Sequence, residues 1–122
     1  MNGTVVACTR DAKAAWPLLR QTVPVAQRLG CPVVLMLDLE NEENQSSALE
    51  YAYQCARRFG AELTAFSGPR AMNRMFAEAQ RRNVFCITTR DDPELLARVR
   101  LAFGFAQALD VSACTVGEVA AV

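Results

Sequence analysis

SSALEYAYQCARRFGAELTAFSGPRAMNRMFAEAQRRNVFCITTR, residues Ser46 to Arg90, reads as helix, strand, helix, strand. Ser47-x-x-Glu50 has the form of a capping box, in which a hydroxyl bonds a first-turn N–H and a carboxylate reaches back. Leu49, Ala52, Tyr53, Ala56 and Phe59 recur at helical spacing, and Gly60 stands where a left-handed residue would stop the helix. Ala61 to Ser67 has the length of a strand. Gly68-Pro69 then opens a helix whose inner stripe is Met72, Met75, Phe76 and Ala79, with Asn83 closing it. Val84 to Thr89 is a second apolar strand. Two strands joined by a helix of this length belong to one parallel sheet with a right-handed crossover.

On the N-terminal side, Thr4 to Thr9 is a short apolar strand, and Asp11 is placed to cap a helix running to about Leu29. Ala15, Leu18, Leu19, Val23, Ala26 and Leu29 form its inner face. Pro24 falls inside the pattern and predicts a kink; Gly30 ends the helix. Val33 to Leu39 is almost wholly apolar, as a central parallel strand covered on both faces should be. Glu40 to Gln45 is a solvated connector. Beyond Arg90, Asp91-Asp92-Pro93-Glu94 is a dense helix start. The helix it opens runs to about Leu109 with Leu95, Val99, Ala102, Ala106 and Leu109 inward, and a last strand covers Val111 to Val116. Five strands alternating with four helices define one doubly wound, three-layer α/β/α domain over residues 1–117, with 118–122 as a tail.

Composition narrows the function classes. Thirteen basic and thirteen acidic side chains cancel, which argues against nucleic acid or an anionic membrane as an obligate partner. No apolar run approaches the roughly 18 residues of a membrane span, and Met1-Asn2-Gly3 leads into a strand without a secretory signal. Five cysteines without a C-x-x-C pair read as small buried hydrophobes in a reducing cytosol. With no histidine and no ligand spacing, the expectation is no metal.

Several short words carry a family resemblance: Ala56-Arg57-Arg58-Phe59-Gly60-Ala61-Glu62-Leu63, Phe66-Ser67-Gly68, and Glu78-Ala79-Gln80-Arg81-Arg82-Asn83-Val84. Val5-Val6-Ala7-Cys8 and the Leu29-Gly30-Cys31-Pro32 junction also fit. They resemble the universal stress protein family, in the form found in the cytoplasmic sensor region of potassium-responsive histidine kinases. The resemblance implies strand order 3-2-1-4-5, which periodicity cannot distinguish from 2-1-3-4-5. It also implies a cytoplasmic, non-catalytic domain.

Small ligands of such sheets bind beyond the strand carboxyl ends, near the reversal of strand order. In the stress-protein order that mouth gathers Thr9, Arg10, Asp11, Asp38, Ser67, Gly68, Thr89 and Arg90. Two arginines and several hydroxyls suit a phosphate or carboxylate, or these residues cap helices and pair with Asp91 or Asp92. Nucleotide-binding relatives carry a glycine-rich phosphate loop after strand four. Here Thr88 to Leu95 holds no glycine and three carboxylates, so no cofactor is expected and an adenine nucleotide is disfavoured.

Enzyme readings fit poorly. A Cys-x5-Arg loop from Cys8 would need arginine at Ala14, a nucleophile has no histidine base, and a receiver domain would need a lysine after Val116. The preferred reading is an interaction module, and the alternative is a free-standing stress protein that binds an adenine nucleotide or related anion in the strand-end cleft. The last strand would be a sheet edge, and relatives dimerise through it, so Leu101, Phe105, Val111, Ala113 and Thr115 are the candidate interface for a homodimer or an intramolecular partner domain. Trp16 is either core at the sheet margin or an exposed anchor.

Overall fold

A computed structural model describes residues 3–113. Its five strands are β1 (Thr4–Thr9), β2 (Val33–Asp38), β3 (Glu62–Phe66), β4 (Val84–Thr89) and β5 (Ala108–Asp110). All pair in parallel in the order β3-β2-β1-β4-β5. The four α-helices are α1 (Ala15–Leu29), α2 (Gln45–Phe59), α3 (Ala71–Gln80) and α4 (Pro93–Phe103). The expected doubly wound α/β domain and the order 3-2-1-4-5 are both present.

Strand alternation divides the core into two layers. Val5, Ala7, Val33, Leu35 and Leu37 face α1 and α2, where they meet Leu18, Leu19, Ala52 and Cys55. Val6, Cys8, Val34, Met36 and Ile87 face α3 and α4, meeting Met75, Phe76, Leu95 and Val99. Because β1 and β2 are buried on both sides, their sequences are continuous apolar runs rather than alternating ones.

Helix ends account for most departures from the sequence reading. Gly30 and Gly60 both take φ +69 and stop α1 and α2 as expected. Asp11 caps a short 3-10 turn, Ala12–Ala14, that precedes α1, and Thr22 rather than Leu29 completes the buried face. The α2 cap is Asn44, not Ser47: Asn44 Oδ1 accepts the Ser47 N–H at 3.0 Å, so the helix starts three residues early. Its buried face is therefore Ala48, Ala52, Cys55 and Ala56, while Leu49 and Tyr53 lie outside.

The C-terminal segment needs the largest correction. Apolar spacing runs through Gly104 towards Leu109, yet the helix stops at Phe103, because Gly104 takes φ 93, ψ 161. Ala102 and Ala106 are exposed, and Leu109 belongs to β5. Val111–Ala113, expected to begin the last strand, is a 3-10 turn, and Val111 is fully buried against the α1–α2 layer instead of lining an exposed interface. Thr115, Cys114 and the tail lie outside the described residues. Trp16 is about one-third exposed, with its ring 4.8 Å from that of Phe59.

Candidate functional site

The carboxyl ends of β1, β2 and β4 open onto two neighbouring depressions. One, of about 310 Å³, is lined by Thr9, Asp11, Lys13, Ala14, Pro17 and Arg90 to Asp92. The other, of about 710 Å³, lies between the 3-10 turn and α2, bounded by Lys13, Glu42, Glu43, Ser47 and Tyr51 among others. Asp11, Ala12 and Lys13 sit between the two.

Of the eight residues expected at the strand mouth, Thr9, Asp11 and Arg90 line the smaller cleft. The rest are committed elsewhere. Arg10 makes a two-pronged pair with Asp92, Nε to Oδ2 at 2.8 Å and Nη2 to Oδ1 at 2.7 Å, and reaches Glu94 at 3.3 Å. Asp38 is buried, and its Oδ1 accepts the Glu40 N–H. The Ser67 carbonyl accepts from Arg74, and Gly68 supplies a turn at φ +82. Thr89 is fully buried with its hydroxyl unpartnered, at the end of β4, and it lines neither depression. Lys13 is the cleft residue that the sequence reading missed. It stands in the first turn after β1, facing the same space as Arg90, and only the strand order brings those two segments together.

The backbone donors at these turns are already occupied by the protein's own side chains. Glu42 Oε2 accepts the Ala12 N–H at 2.7 Å, and Asp11 Oδ1 accepts that of Lys13 at 3.0 Å. Asp92 Oδ1 accepts the Leu95 N–H at 3.1 Å, capping α4. N–H groups of this kind are the ones that seat a phosphate at a helix start. Here carboxylates fill the role, and the smaller cleft carries Asp11, Asp91 and Asp92 against Lys13 and Arg90. Arg90 is held by Gln21 (2.7 Å) and Asp91 (3.0 Å).

Burial is the largest influence on Asp92 and pushes its carboxyl up. The Arg10 hydrogen bond, the Leu95 N–H and the Arg10 charge together outweigh it, so Asp92 titrates below the usual carboxylate range. The Asp92 hydrogen bond likewise pushes Arg10 further up.

The fold is similar to that of the universal stress protein from Archaeoglobus fulgidus, solved in complex with dAMP. The two share 19% identity over 90% of this chain and 97% of that one, with a TM-score of 0.59. No protein-family model and no curated protein sequence matches the chain. The class is thus an α/β domain with the universal stress protein fold.

Proposed function

We propose that this is a non-catalytic regulatory domain of the universal stress class that works through contact with a second copy or a partner domain. One observation carries this reading: Glu42, Asp11 and Asp92 occupy the backbone donors where an anionic ligand would seat. A triphosphate would have to displace these carboxylates and then sit beside them, at a cost of several kcal/mol by the order of magnitude of close like charges. The words shared with the sensor region of potassium-responsive kinases support a narrower version. In it the domain is the cytoplasmic part of a two-component sensor, and other domains hold the kinase activity.

The second reading is a stress protein that binds an adenine nucleotide in the strand-end cleft. It is favoured by the dAMP of the similarly folded archaeal protein and by Lys13 and Arg90 lining one cavity. Isothermal calorimetry and thermal shift with ATP, ADP, AMP, dAMP and cyclic dinucleotides decide between the two. The contact reading expects no saturable heat and no shift. Saturable stabilisation that disappears in Arg90→Ala establishes the nucleotide reading instead.

A further inference from the structure

We infer that the edge of β3 is a docking site for an extended, acidic polypeptide segment, which adds to the sheet as a sixth strand. The inference rests on the domain's being a contact module but concerns the sheet edge opposite β5, a surface outside the readings above.

β3 pairs only with β2 among the described residues. The phase of its outer edge follows from one hydrogen bond. The Leu39 N–H donates to the Phe66 carbonyl at 2.8 Å, so Phe66 turns its backbone towards β2. In a parallel ladder the N–H and C=O of one residue point the same way and the next residue points the other. Thr64 and Glu62 therefore also face β2, while Leu63 and Ala65 offer their backbone N–H and C=O outward.

Natural edges are usually blunted by proline, lysine, a bulge or an inward charge. The β3 sequence ELTAF has none of the first two, and its register with β2 is continuous. Its single charge, Glu62, is neutralised by Arg82 at 2.9 Å. Beside this edge lies a cleft of about 370 Å³, formed by Tyr53, Ala56 and Arg57 of α2 with Ala61, Glu62 and Leu63. It has room for one apolar side chain of an added strand.

Charge selects the occupant. Between Gln54 and Asn83 the chain places six arginines against two carboxylates, whereas Asp38 to Glu50 carries five carboxylates and no cation. The charge of Arg82 is taken up by Glu62 and Glu78, but Arg74, fixed at the carboxyl end of β3 by the Ser67 carbonyl, and Arg57, exposed in the cleft, make no ion pair among the described residues. A strand with an apolar residue for the cleft and carboxylates on its flanks meets this edge on both counts.

The test uses the full chain and a fluorescein-labelled peptide of alternating valine and glutamate, with a valine–lysine peptide as its counterpart. Anisotropy is read at several salt concentrations and amide exchange at Leu63 and Ala65. The expected result is saturable, salt-sensitive binding of the acidic peptide alone, with exchange slowed at those two amides. Ala65→Pro removes an outward N–H without touching the β2 ladder and should abolish binding. Arg57→Glu, exposed and remote from the core, should weaken it by about tenfold, which also covers the case of a misfolded proline variant. No saturation at millimolar peptide, equal binding of both peptides, or indifference to both substitutions overturns the proposal. So does self-association through β3 that Ala65→Pro abolishes, since the occupant would then be a second copy. If the peptide fails to bind while contact through Leu101 and Phe105 persists, this inference falls and the contact-module reading stands.

Discussion

The Arg10 guanidinium grips both carboxylate oxygens of Asp92 across 82 residues of sequence, tying the end of β1 to the first turn of α4. The same Asp92 oxygen that faces Arg10 Nη2 caps the helix through the Leu95 N–H, so one side chain serves two bonds. Asp92→Ala should lose the cap, worth about 1 kcal/mol, and leave a half-buried arginine short of its main partner. Asp92→Asn keeps a capping oxygen but loses the charge and one of the two acceptors facing Arg10, because its amide NH2 cannot accept from the guanidinium. Because folding depresses the Asp92 pKa, its contribution is complete above the ordinary aspartate value of about 4 and is lost as pH falls through the lower native value. In urea titrations the stability gap between the wild type and Asp92→Asn should therefore close as pH drops below about 4. A gap that stays constant down to the acid transition would show that the ion pair is not its source.

Local signals in the sequence were enough for β1 and β4, whose bounds match the structure, because short apolar runs flanked by breakers leave little freedom. The same logic placed the stops at Gly30 and Gly60. It failed after Arg90 for a physical reason. Leu95, Val99, Ala102, Ala106 and Leu109 keep helical spacing across Gly104, and spacing cannot register that one residue has turned to φ 93. Gly104 followed by Phe105 was the available stop signal, since glycine inside a helix costs about 1 kcal/mol. At the site, helix-cap chemistry pointed to Asp11 and Asp92. That Glu42 would cap the turn after β1 depends on a contact across 30 residues, and no local rule supplies it.

Thr22 of α1 and Thr88 of β4 share a hydrogen bond of 2.8 Å between two fully buried hydroxyls. Replacing one with valine strands the other without water. Each single variant, Thr22→Val or Thr88→Val, should lose about 1–3 kcal/mol, while the double variant should recover most of that loss. Denaturant unfolding of the four proteins forms a double-mutant cycle. Additive losses would mean that the hydroxyls do not depend on one another.

Cys8 is buried among Val6, Met36 and Met75, and burial pushes its thiol up to about 12. A thiolate is the reactive species, so native Cys8 should resist alkylation at pH 8, while the half-buried Cys31 reacts first among the cysteines of the described region. Peptide mapping after timed iodoacetamide treatment reads the order directly. Cys8 labelling should appear only with unfolding; equal rates for Cys8 and Cys31 in folded protein would contradict this packing.

Leu101 and Phe105 are 88% and 74% exposed, at the end of α4 and in the turn leading to β5, the last strand of the sheet among the described residues. Phe105 also carries the Arg100 guanidinium 4.8 Å above its ring, which presents a flat apolar and cationic surface beside that strand. Neither side chain supports the core, so Leu101→Ser should change monomer stability by no more than about 0.5 kcal/mol, and Phe105→Ser by roughly 1 kcal/mol through the lost cation–π contact. If this surface is the contact the domain uses with its own kind, sedimentation over a range of concentrations should show a dimer for the wild type and a monomer for the double serine variant. The two measurements separate the cases, because a core role would lower stability without regard to concentration. A wild type that sediments as a monomer throughout would exclude self-pairing at this surface and leave a different protein domain as its partner.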